Sequence, residues 1–210
     1  EVITTAYGTD VRAFVFSQDA SGFNSGNKDA DYYGVTATKE MGEATLTGKV
    51  YQASKAKFAT GTTDVSNFAV EASMPLTEMV TIDGEVVAND ADDKVNGHDG
   101  DTLFRMNAVA ELSDVLTVNG GFETVGEDFV QVMGDLEETS GEYDMFTVGA
   151  DYVLNTNNTV KGNLTVVDKA GTGNEKENTF ELALDNTMGV FTNTAAVEFI
   201  QNDDHVDGED

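Results

Sequence analysis

The 210-residue chain carries 39 acidic and 11 basic side chains, a formal charge of −28, and a field of that sign repels phosphate backbones and excludes nucleic acid as a partner. It has no cysteine, no tryptophan, one proline and 21 glycines, so disulfide frameworks and thiolate metal sites are ruled out. No apolar run reaches the ~18 residues of a membrane-spanning helix.

In chain order the dominant period is two. Val2–Tyr7 and Val11–Gln18 flank Gly8-Thr9-Asp10 and predict a first hairpin of imperfect alternation. Tyr33, Val35 and Ala37 alternate with polar neighbours, turn at Glu40-Met41-Gly42, and return through Ala44, Leu46, Gly48 and Val50. Phe68, Val70 and Ala72 lead to a turn at Met74-Pro75, followed by Val80, Ile82, Gly84 and Val86. Phe104, Met106, Ala108, Ala110 and Leu112 turn at Ser113-Asp114 into Leu116, Val118, Gly120 and Phe122. Phe146, Val148, Ala150, Tyr152 and Leu154 turn at Asn155-Thr156-Asn157-Asn158 into Val160, Gly162, Leu164 and Val166. That asparagine-rich segment tolerates positive φ. Phe180, Leu182 and Leu184 turn at Asp185-Asn186-Thr187 and return through Phe191, Ala195, Val197 and Phe199.

The connections alternate in length. Short turns near 8–10, 39–42, 74–77, 113–114, 155–158 and 185–187 are separated by long polar connections near 19–31, 54–66, 88–101, 126–142 and 168–177. Short turns at one end and long loops at the other is the layout of a transmembrane β-barrel, and strands of about nine to eleven residues suit a bilayer. The fold expected is therefore all-β: an antiparallel up-and-down meander of about twelve strands closing into a β-barrel, or part of a larger barrel, because both termini fall at the long-loop end. A single domain is expected over residues 1–200, with 201–210 an acidic tail or the start of a further loop. The opening Glu1-Val2-Ile3, without a basic n-region, reads as a mature product after signal cleavage or as a piece of a longer chain.

Alternation alone leaves two orientations, since a lipocalin-like barrel turns its apolar face inward and a membrane barrel turns it outward. Charge in mid-strand favours the second. Lys49, Glu71, Asp83, Glu85, Arg105, Glu111, Glu123, Asp151, Lys161 and Glu181 all fall on the polar face and are the expected pore-lining residues. An apolar face rich in Ala and Gly points the same way. Against it stand the absent tryptophan, which leaves Tyr33, Tyr152, Phe122, Phe180 and Phe199 as a thin aromatic belt, and an ending Asp207-Gly208-Glu209-Asp210 in place of an aromatic strand.

The run Val148-Gly149-Ala150-Asp151-Tyr152-Val153-Leu154-Asn155 followed by Asn158-Thr159-Val160 resembles the strand–turn–strand units of bacterial outer-membrane porins. Val118-Asn119-Gly120-Gly121-Phe122-Glu123-Thr124-Val125-Gly126-Glu127-Asp128-Phe129 is similar to the porin regions of surface-layer-homology outer-membrane proteins of diderm Firmicutes. The likeness covers roughly residues 30–200 and is one of strand pattern. That family also carries an N-terminal domain that grips the cell wall, which nothing in residues 1–30 resembles, so the resemblance implies the barrel alone. It implies an outer-membrane channel for small hydrophilic solutes, with lipid and further copies of the chain as partners. The alternative is a secreted or surface-layer β scaffold, at the cell surface or outside it, whose acidic loops bind calcium.

Catalysis finds no support, and no enzyme is expected. His98 and His205 sit in acidic segments without a third histidine or a cysteine to complete a zinc site. No G-x-S-x-G, P-loop or strand-borne G-x-G-x-x-G is present, and Gly171-Thr172-Gly173 reads as a loop. Paired carboxylates are expected by chance among so many acids. Calcium is the candidate small ligand, because residues 89–101 crowd hard oxygen donors. Counted as an EF-hand from Asp92, Asn96 and Gly97 fit, while Lys94 and Leu103 replace required acids. A looser cage of Asp90, Asp92, Asp99 and Asp101 stays open beside a plain solvated loop, and the tail 203–210 shares the ambiguity. Acids outnumber bases on the polar face, and Asp93, Glu127, Asp128, Glu137 and Glu138 join the calcium candidates at the loop mouth, so a pore would prefer cations. The acidity also fits a halophilic or marine source.

Overall fold

A computed structural model describes residues 1–18, 30–58, 61–91, 100–129, 142–170 and 175–204. Period-two alternation produces twelve strands: β1 Val2–Ala6, β2 Thr9–Gln18, β3 Ala30–Met41, β4 Ala44–Phe58, β5 Gly61–Thr77, β6 Val80–Ala91, β7 Thr102–Ser113, β8 Leu116–Val125, β9 Tyr143–Asn155, β10 Asn158–Lys169, β11 Glu175–Met188 and β12 Phe191–Asp204. They form one antiparallel sheet in which spatial order equals chain order, the up-and-down meander expected. Among the described residues no ladder joins β1 to β12. β1 has 5 residues, β2 and β8 have 10 each, and the others run from 12 to 17, longer than the about nine to eleven a bilayer asks for.

Successive strands β1–β2, β3–β4, β5–β6, β7–β8, β9–β10 and β11–β12 are joined by two-residue turns of two kinds. At Tyr7-Gly8, Gly42-Glu43 and Gly189-Val190 the backbone turns through positive φ, at 54° and 70°, 69° and 64°, which glycine adopts without penalty. At the other three, a side chain before the turn accepts a backbone N–H two residues on. Thr77 Oγ1 accepts from Met79 (3.1 Å), Ser113 Oγ from Val115 (3.4 Å) and Asn155 Oδ1 from Asn157 (3.0 Å). The asparagine turn thus works by side-chain capping and not, as expected, by positive φ at an asparagine.

Two turns lie further along the chain than their turn-forming residues suggest. Met74 and Pro75 fall inside β5, and the chain reverses at Glu78-Met79. The β4 register ends at Thr45↔Ser73, so Pro75 lies where that ladder no longer requires its missing N–H. Asp185, Asn186 and Thr187 are paired with Thr194, Asn193 and Thr192, and reversal waits for Gly189. The long connection expected over 54–66 is also largely strand: past a register shift between Ala53 and Ala56, β4 and β5 pair as far as Phe58↔Gly61. Threonines and valine at 62, 63 and 65 favour that extension.

The chain forms two compact units, one of Glu1–Ser73, Gly84–Phe104 and Val125–Gly141, the other of Met74–Asp83, Arg105–Thr124 and Glu142–Asp210. In the first, one face carries Ala13↔Val35↔Val50↔Phe68, and the other carries Thr36↔Lys49↔Ala69. In the second, Val148↔Leu164↔Phe180↔Phe199 share one face, and Asp151↔Lys161↔Ala183↔Ala196 share the other. In both units the large apolar residues of the first-named face are exposed. The buried residues lie on the charged face: Ala53, Val65, Ala69, Val87, Leu103 and Val125 in the first unit, Tyr143, Met145, Val167 and Ala183 in the second.

Candidate functional site

The ten charged residues expected on one face occupy alternate positions on β4 to β11, opposite the exposed apolar side chains. In the first unit Lys49 is the hub. Its Nζ donates to Glu85 Oε1 at 2.9 Å and lies 2.5 Å from Glu71 Oε2, which ties β4 to β5 and β6. Toward β2, Gly34 leaves room for two rings: a Cβ there would meet Phe14 and Tyr51 at 2.6 Å, and their centroids are 5.9 Å apart. Only glycine permits that approach. Thr38 and Thr47 hydroxyls meet at 3.0 Å, and Arg12 pairs with Glu1 in an exposed position.

In the second unit Arg105 Nη2 lies 2.7 Å from Glu123 Oε2, and the Tyr143 hydroxyl donates to Glu123 Oε1. Arg105 belongs to β7, Glu123 to β8 and Tyr143 to β9, so one buried carboxylate serves donors from both neighbouring strands. Gly121 and Gly149 let amides fold over the same face, since a Cβ at either would come within 2.6 Å of Asn107 Oδ1 or 2.4 Å of Asn119 Oδ1. Lys161 Nζ lies 2.8 Å from Asp185 Oδ2, whose other oxygen accepts from Thr194 at 2.6 Å. Asp151 stands opposite Lys161 in register, and Glu181 stands between Asn163 and Glu198. Asp83 is half-buried and Glu111 exposed.

Each of the three bases expected on this face therefore engages an acid, as does Arg12, which the register places on the same face. The pairings differ in cover: Lys161–Asp185 keeps solvent on one side, whereas Arg105–Glu123 is largely covered and depends on its hydrogen bonds. Acids remain in excess. Reading the sequence missed Glu198, Asp185, Tyr143 and Phe14 as members of this face. Glu198 was open to the same alternation, being flanked by Val197 and Phe199.

On the opposite face Phe146, Val148, Tyr152 and Leu164 are exposed, and Val160 is half-buried. Of the calcium candidates, Asp92 and Asp99 lie outside the described residues, as do His98 and His205. Asp90 is exposed, and Asp101 Oδ1 accepts the Thr102 N–H at 2.7 Å. Among the described residues no three His, Cys, Asp or Glu side chains are grouped to hold a metal ion. No protein-family model matches the chain, and neither does any curated protein or solved structure searched.

Proposed function

We propose that this chain is a porin-like channel of a diderm bacterial outer membrane, which closes β1 against β12, sets its apolar face against lipid, and lines a water-filled path for small hydrophilic solutes with its charged face. The observation that carries this reading is the inverted sheet. Phe68, Phe146 and Val197 are 52%, 51% and 52% exposed, whereas Glu123 on the opposite face is 2% exposed. A protein surrounded by water gains by hiding such side chains, and contiguous exposed apolar surface on this scale marks an interaction site. Lipid is a partner that fits an entire alternating face.

Closure follows from the same environment. An open sheet edge in hydrocarbon leaves backbone groups without partners, at several kcal/mol each. An even-stranded meander brings its first and last strands together antiparallel, which closure requires. Two measurements test the reading. The protein should stay with the membrane pellet through a chelator wash and leave it only with detergent. Release by chelator alone would instead favour a calcium-bound surface scaffold. Detergent-extracted protein should also add stepwise conductance to planar bilayers in KCl, and absence of steps from inserted protein would sink the channel.

A further inference from the structure

The exposed apolar face is uneven in the unit containing Glu1–Ser73, Gly84–Phe104 and Val125–Gly141. Cross-strand register sets its side chains in rows. Val11↔Ala37↔Gly48↔Val70 is one, and Ala13↔Val35↔Val50↔Phe68 lies beside it, away from the short turns. Ala37 and Gly48 make the first row low, and nothing lies within 4 Å of a Cβ added at Gly48. A groove of about 540 Å³ results, reaching from β3 to β6 and lined by Ala37, Gly48, Val35, Val50, Phe68 and Val70 among others. At a strand spacing of about 4.8 Å it runs roughly 14 Å across the sheet. On the turn side of the low row stands Thr9↔Lys39↔Leu46↔Ala72. Lys39 is exposed there, and among the described residues no acid pairs with it, whereas Arg12, Lys49, Arg105 and Lys161 each have one. Its register neighbours are neutral, unlike Asp168 and Asp203, which flank Lys176 on the apolar face of the other unit.

We propose that this groove holds one acyl chain of a zwitterionic phospholipid whose phosphate sits at Lys39. The inference rests on the membrane placement proposed above. A groove left empty forfeits dispersion contacts along its lining, and an acyl chain restores them. The Lys39 ammonium donates to a phosphate oxygen at the side of the groove nearest the short turn. Glu40 and Glu43, both exposed, follow Lys39 into that turn. They and the chain's excess of acid favour a headgroup that carries its own ammonium over one of net negative charge.

The test uses the whole detergent-extracted chain, stripped of lipid, titrated with dioleoyl phosphatidylethanolamine or dioleoylglycerol, and weighed by native mass spectrometry. Phosphatidylethanolamine should bind more tightly than dioleoylglycerol, which has the same chains and no phosphate. Lys39→Gln should weaken the first about fivefold and leave the second unchanged. Gly48→Leu fills the groove and should weaken both. Gly162→Leu, at a strand glycine of the other unit with the same open space, should change neither. Equal binding of the two lipids, an inert Gly48→Leu, or tighter binding of dioleoyl phosphatidylglycerol overturns the site and leaves the channel standing. So does a dimer that Gly48→Leu splits with lipid binding unaltered, since the groove would then belong to a second copy. A chain released from the membrane pellet by chelator alone overturns both readings.

Discussion

Burying the Glu123 carboxylate costs several kcal/mol unless its oxygens find donors, and they find Arg105 and the Tyr143 hydroxyl. Glu123→Ala takes both interactions away and leaves the mostly covered Arg105 guanidinium without that carboxylate, so the folded state should lose about 3 kcal/mol. Tyr143→Phe removes one hydroxyl bond and should cost about 1 kcal/mol. Urea midpoints of the detergent-solubilised protein measure both. Asp185→Asn serves as the contrast, because its partner Lys161 is exposed and exposed pairs contribute little. A midpoint shift for Asp185→Asn as large as that for Glu123→Ala would overturn the burial argument. The facing of all ten charged residues was legible because each sits one position from an apolar neighbour. Their partners were not. Which acid meets Arg105 depends on strand register, and Tyr143 lies at the edge of a stretch whose polar composition reads as loop.

At the scale of the strand and turn, two-residue reversals divide by mechanism, and substitution separates them. Gly42 and Gly189 have positive φ, so alanine at either should lower stability by about 1 kcal/mol. Gly48 and Gly162 lie within β4 and β10 with nothing within 4 Å of an added Cβ. Alanine there should leave stability unchanged or raise it by about 0.5 kcal/mol, since glycine in a strand is the looser residue. Equal losses at all four positions would remove φ as the cause. Asn155→Ala should resemble the first pair, because it deletes the acceptor for the Asn157 N–H. Strand existence was legible throughout, since alternation is a local property of the sequence. Reversal points were less so. Met74-Pro75 and Asp185-Asn186-Thr187 have turn-forming composition, yet ladder pairing carried the strands through or past them to Glu78 and Gly189. Val65, Val87, Leu103 and Val125 escaped notice as a set because apolar residues on a polar face break the very alternation used to find strands.

At the scale of the whole chain, the charge of −28 is distributed in a way that pairing makes readable. Lys49, Arg105 and Lys161 are each engaged by an acid, which removes them as free positive charges on the polar face. Asp83, Glu111, Asp151, Glu181 and Glu198 share that face, and Glu181 opposes Glu198 directly. Like charges facing each other across strands destabilise a sheet by about 0.5 kcal/mol. On the channel reading proposed above, this exposed pair serves a cation path, where one sign of charge raises the local concentration of the other. Glu181→Gln with Glu198→Gln should therefore move two readouts in opposite directions. Stability should rise by about 0.5 kcal/mol, while cation preference, measured as reversal potential under a KCl gradient, should fall. The preference of the unaltered protein should itself weaken with salt, because the Debye length drops from about 10 Å at 0.1 M to about 3 Å at 1 M. A purely structural role for the two glutamates predicts a stability change with no change in reversal potential. An anion preference in the unaltered protein would reject the assignment of this face to a cation path altogether.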